Sequence, residues 1–71
     1  ELMSIGYKLK YYRKNNMLSQ SELSKMTGIA QTTISDLEKD KYMPKVDTLC
    51  KLAQALDVDI LKIIQEGGIY E

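Results

Sequence analysis

The stretch Ser19–Asp40, SQSELSKMTGIAQTTISDLEKD, decides the fold. Ser19-x-x-Glu22 is a capping box, in which the Ser19 hydroxyl accepts from the Glu22 amide and the Glu22 carboxylate accepts from the Ser19 amide. Leu18 and Leu23 have the spacing of a hydrophobic staple, so the start of the helix is fixed twice. The pattern predicts a helix over about Gln20–Thr27 that buries Leu23 and Met26. Gly28 stops it, because a residue without a Cβ takes the left-handed conformation cheaply. Beyond Ile29 and Ala30 a second helix begins, with Ile34 and Leu37 spaced i, i+3 toward a core.

Two short helices joined by a tight, glycine-containing turn form a helix-turn-helix. With Ile34 and Leu37 inward, a rotation of about 100° per residue puts Thr32, Ser35, Asp36 and Lys39 on the opposite side. Gln31 and Thr33 lie on its flanks, and Lys39 and Lys41 bound it. A helix facing only solvent more usually carries Glu/Lys pairs. Short amides, hydroxyls and a carboxylate suit the edges of bases in a major groove. The plainer alternative is a solvated face that happens to be rich in Thr and Ser.

Gln20-x-x-x-Ser24-x-x-x-Gly28, Ile34-x-x-Leu37-Glu38, Pro44 and Leu49-x-x-Leu52-Ala53-x-x-Leu56 together resemble the phage repressor/Cro (XRE-type) helix-turn-helix family. The resemblance runs from about Ile5 to Ile64. It implies an all-α, compact five-helix domain with the lambda-repressor-like DNA-binding fold, one domain over 1–71 with its core at about 4–66. The implied function is sequence-specific binding of double-stranded DNA by a transcriptional regulator of repressor type, with a recognition helix at about 31–39 in the major groove. Two positions depart from the family. Ser24 stands where Ala is usual and is still small enough for close helix approach. Asp40 stands where Gly commonly follows the recognition helix; Asp tolerates that left-handed position at some cost.

The DNA-contact candidates are Gln20, Gln31, Thr32, Thr33, Ser35, Asp36, Lys39 and Lys41. Gln20, at a helix start, can meet a phosphate together with free backbone N–H groups. Gln31 can reach the DNA backbone or an adenine N6/N7 edge, and Asp36 can accept from cytosine N4. A pair with Lys39 at i, i+3 is the other use for Asp36. The resemblance also implies that Arg13 pairs with Glu38; a fork-shaped guanidinium suits such a bidentate bond. Both are therefore assigned to structure.

The formal net charge is zero, which argues against a strongly basic nucleic-acid binder. Its distribution is uneven. Residues 1–45 hold eight Lys/Arg against five Asp/Glu, a net +3, and residues 46–71 hold two against five, a net −3. The molecule is expected to be polarised, with its basic side at the helix-turn-helix. With 71 residues there is room for one small core, and 44% hydrophobic and 28% charged residues suit a globular chain. A lone Cys50 cannot form an internal disulfide, which fits a reducing compartment. No apolar run approaches the ~20 residues of a membrane span and no leader is evident, so a cytoplasmic location without membrane contact is the expectation.

Elsewhere, Ser4–Asn15 reads as a first helix with Ile5, Leu9 and Tyr12 inward, surrounded by Lys8, Lys10, Arg13 and Lys14, and broken at Asn15-Asn16. Pro44 redirects the chain into a helix over Lys45–Leu56, with Val46, Leu49, Leu52, Ala53 and Leu56 inward. Asp47 supports that helix start through the dipole. Ile60–Glu66 reads as a fifth helix ended by Gly67-Gly68. Leu61 and Ile64 are expected to complete the core with Val58, leaving Ile60 and Ile63 at the surface. That pair is then either scattered surface apolar area or the contact of a two-fold homodimer on an approximately two-fold symmetric operator.

Enzymatic function is not expected. There is no His, Cys50 has no base to activate it, and no glycine-rich loop could cradle a phosphate. The same absences leave no metal or cofactor ligand set. The rival function is a helix-turn-helix module that binds protein without direct DNA contact. Zero net charge favours it; the outward Gln31, Thr32 and Ser35 favour DNA.

Overall fold

A computed structural model describes residues 3–65 and folds them into α1 (Ile5–Asn15), α2 (Gln20–Thr27), α3 (Gln31–Glu38), α4 (Val46–Leu56) and α5 (Ile60–Ile64). Three helices start on side-chain caps: Ser4 Oγ accepts from Tyr7 N–H, Ser19 Oγ from Glu22 N–H, and Asp59 Oδ1 from Leu61 N–H. Each satisfies a donor that the first helical turn cannot pair internally. Lys45 gives α4 no such bond; Asp47 stands in its first turn instead, 3.7 Å from Lys51.

Three helices end on non-glycine residues in the left-handed conformation: Met17, Asp40 and Asp57, with φ of 57°, 57° and 58°. Each end closes with the same pair of bonds. After α1, Met17 N–H donates to Lys14 O and Leu18 N–H to Arg13 O. After α3 the pairs are Asp40 to Leu37 and Lys41 to Asp36; after α4 they are Asp57 to Gln54 and Val58 to Ala53. This is the Schellman arrangement, which satisfies the last carbonyls of a helix. The break after α1 thus falls on Met17. Asn16 instead ties the end of α1 to α4, its Nδ2 donating to Tyr12 O and Leu56 O.

One core is built from Leu9, Tyr12, Leu23, Ile34, Leu37, Leu49, Leu52, Ala53, Leu56 and Ile63. Four expectations about its edges need correction. Met26 is exposed, because the inward side of α2 runs from the buried Leu23 to the half-buried Thr27 at i, i+4. Val46 is exposed, since the first turn of α4 extends past the core and its inward stripe begins at Leu49.

The largest correction concerns α5. Ile63 is fully buried and Ile60 packs against the core, whereas Leu61 and Ile64 are exposed. Both pairs share the i, i+3 spacing, so spacing cannot choose between them; the cap at Asp59 and the packing against α1 and α4 set the register. Ile63 is therefore no surface contact for a second copy. Gly67 and Gly68, expected to end this helix, lie outside the described residues.

Lys8 is the fourth correction. Its side chain is buried where a solvated one was expected, and its ammonium donates to the carbonyl of Gln65. The four-carbon stem covers apolar surface while the charged end finds an acceptor just beyond α5.

Candidate nucleic-acid interface

The α2–turn–α3 unit is held by short, local bonds. Ser19 N–H donates to Glu22 Oε1 at 2.8 Å and Glu22 N–H to Ser19 Oγ at 3.0 Å, completing the capping box. The bonds from Ser19 hold the Glu22 carboxyl below its ordinary range, the backbone N–H contributing most and Lys25 least. Gly28 occupies the left-handed region at φ 77° and donates to Ser24 O. Ser24 gains a partner that Ala would lack: its hydroxyl donates to Ile29 O at 2.5 Å across the turn. Thr27 Oγ1 donates to Leu23 O and accepts from Ile29 N–H, so the turn is bonded on both sides.

α3 buries Ile34 and Leu37 and starts at Ala30 with no side-chain cap. Gln31, Thr32, Lys39 and Lys41 are exposed, and Thr33, Ser35 and Asp36 are half-buried on the same outer side or its flanks. Among the described residues Asp36 pairs with Lys41, Nζ to Oδ1 3.4 Å, and not with Lys39. Lys41 reaches it because the left-handed Asp40 folds the chain back over the last turn of α3.

The last residue of α3 is anchored from below. Arg13 Nε donates to Glu38 Oε2 at 2.6 Å and Nη2 to Oε1 at 3.0 Å. Arg13 Nη1 donates to Leu18 O at 2.8 Å. Glu38 Oε1 also accepts from Gln20 Nε2 at 3.0 Å. Gln20 therefore does not stand free at the start of α2: one amide proton is committed to Glu38, leaving its second proton and its carbonyl oxygen available. That link was invisible in the sequence, because nothing in the spacing of Gln20 and Glu38 joins them.

A second tie joins α3 to α1. Gly6 N–H donates to Asp40 Oδ1 at 2.9 Å. Of the candidate residues, then, Gln31, Thr32, Thr33, Ser35, Asp36, Lys39 and Lys41 lie together on or beside α3, and Gln20 joins them only through Glu38. Residues 9–63 match the sequence model of a helix-turn-helix family. The chain belongs to the XRE-type helix-turn-helix family.

Members similar to it include proteins of phage immunity. It is 31% identical over 71 residues to the ImmF control region 10 kDa protein of Bacillus phage phi105, across 90% of this chain and 79% of that protein. It is 31% identical over 69 residues to the immunity repressor protein of the same phage, across 97% of this chain; it spans 48% of that relative, about half its length. Among solved structures, the P22 c2 repressor in complex with a synthetic operator superposes with a TM-score of 0.83 at 25% identity, covering 89% of this chain and 96% of the repressor. The five-helix architecture of this XRE-type chain is thus that of the lambda-like repressors.

Proposed function

We propose that this protein is a sequence-specific, double-stranded DNA-binding transcriptional regulator of repressor type, with α3 lying in the major groove. The observation that carries this is the outer side of α3 and the turn after it: one amide, hydroxyls, one carboxylate and two lysines, presented by a helix whose buried end is clamped through Glu38. Side chains of that kind match the donors and acceptors of base edges. The relative solved on an operator supports the same assignment. Gln31 and Thr32, exposed at the start of α3, are the foremost base-edge contacts; Lys39 and Lys41 flank the phosphates. Gln20 contributes through its remaining amide proton.

The protein acts as a homodimer on an operator with approximate two-fold symmetry. The exposed Leu61 and Ile64 of α5 supply apolar area for the contact between copies. Two recognition helices so joined would meet half-sites about 34 Å apart, one helical turn. Among the described residues no helix is long and apolar enough to cross a membrane, and a regulator of this kind would work in the cytoplasm.

Selection from a random duplex library followed by titration at several salt concentrations tests the proposal. A preferred, two-fold symmetric sequence bound with a steep salt dependence is expected. Absence of any preferred sequence, with salt-insensitive binding to a protein partner, would leave the protein-interaction alternative in its place.

A further inference from the structure

The first turn of α1 and the last turn of α3 are in backbone contact. A Cβ built on Gly6 would lie 2.5 Å from Leu37 O and 2.8 Å from Glu38 O, so this position admits no side chain. Opposite helix ends meet here: the partly positive N-terminus of α1 faces the partly negative C-terminus of α3. Asp40 Oδ1 accepts from Gly6 N–H at 2.9 Å, satisfying a first-turn donor of α1 from across the molecule.

We propose that Asp40 is a positioning residue for DNA recognition, fixing the angle at which α3 is presented; this rests on the DNA-binding function above. The geometry supplies the reason. Arg13 holds Glu38, and Gly6 holds Asp40. Gly6 and Arg13 are seven residues apart on α1, which is about 10 Å along the helix axis. One tie would let the end of α3 pivot; two ties at separated points stop the pivot. The same residue shapes the reading face. Its left-handed backbone sends Lys41 N–H to Asp36 O and brings the Lys41 ammonium 3.4 Å from the Asp36 carboxylate. Asp40 thus sets both the seat of α3 and the cation beside its one outward carboxylate.

Glycine would sit in this backbone conformation without strain, yet it would lose the bond to Gly6. That opposition makes the inference testable apart from folding. In Asp40→Gly the relief of strain and the lost hydrogen bond oppose each other, so the denaturation midpoint should move little. Asp40→Asn removes the same charge but keeps an oxygen acceptor and tolerates the left-handed turn, so it controls for electrostatics.

The parent and both variants are titrated at fixed salt against the sequence selected by the parent and against a scrambled duplex. The ratio of the two affinities should fall by about tenfold or more in Asp40→Gly and stay within about threefold of the parent in Asp40→Asn. Amide exchange at Gly6 should accelerate by at least about tenfold in Asp40→Gly alone. An Asp40→Gly protein that discriminates like the parent, or whose Gly6 amide exchanges like the parent's, overturns the inference and leaves DNA binding intact. A parent that selects no sequence overturns the DNA-binding function, and this inference with it.

Discussion

Arg13 and Glu38 meet as fork on fork, with only 9% and 4% of their side chains exposed. Among the described residues Glu38 accepts three hydrogen bonds, two from Arg13 and one from Gln20, and Arg13 spends its remaining nitrogen on Leu18 O. Three elements therefore converge on one carboxylate: α1, the start of α2 and the end of α3.

Removing the guanidinium would strand that carboxylate where little water reaches. Arg13→Ala is expected to lower stability by ~3–5 kcal/mol, the cost of leaving one partner of a buried pair uncompensated. Arg13→Lys should recover little of it, because an ammonium cannot reproduce the bidentate fork. Urea denaturation midpoints measure both. In whatever Arg13 variant remains folded, discrimination between the selected sequence and a scrambled duplex should also fall, since one of the two ties that seat α3 on α1 is gone.

The capping box gives a pH dependence of definite sign. The Glu22 carboxyl titrates below its ordinary range in the folded chain because Ser19 bonds favour the ionised form. A carboxylate depressed by folding stabilises fully above its unfolded value, near 4.3, and loses that contribution as pH falls through the folded one. Stability of the parent should therefore exceed that of Glu22→Ala at neutral pH, and the gap should narrow as pH falls below about 4. Thermal melts of the two proteins across pH 2–7 (roughly the carboxylate range) would show it. A gap that is independent of pH would remove the carboxylate from the cap.

Burial on α5 separates association from folding. Leu61→Glu and Ile64→Glu should weaken self-association while leaving the monomer folded, because both side chains are already exposed. Ile63→Glu should unfold the protein, since it puts a charge at a fully buried site. Sedimentation together with far-UV circular dichroism distinguishes the cases. Unaltered self-association in both exposed variants would place the contact elsewhere.

Asp36 should govern sequence preference more than affinity. In the proposed docking its carboxylate stands on the side of α3 that meets the DNA, so its charge would oppose binding to any duplex. Accepting from a cytosine N4 would be its favourable use in that docking, and Lys41 at 3.4 Å would offset part of the repulsion. Asp36→Ala is expected to lose about 1–3 kcal/mol of discrimination at one operator position while binding to unrelated duplex tightens. Titration against single-base operator variants at fixed salt measures this. A uniform gain across every position would make Asp36 merely the partner of Lys41.

What the sequence disclosed and what it hid divide along chain separation. The Ser19/Glu22 box and the stop at Gly28 are local, so residue type and spacing sufficed for both. The left-handed turn at Asp40 was legible only through the family resemblance, and its bond to Gly6 joins positions 34 apart, which no local pattern announces. Lys8 misled because the destination of a long side chain depends on what packs above it. In α5, five residues give less than two turns, and both apolar pairs satisfy the same period, so only packing picked the inner one. Met17 replaced the expected asparagine break because the Schellman bonds set where the left-handed residue falls, and Asn16 was claimed by α4.

The two ties between α1 and α3 close stretches of 25 and 34 residues. Closing such stretches is entropically unfavourable until the contacts at their ends can form. Neither tie can form on a nascent chain before residues 38 and 40 have emerged, although α1 is complete long before. α1 must wait for its partner. The orientation of α3 is therefore not a property of the two-helix segment that contains it; it comes into being only when the end of α3 can dock on the waiting α1.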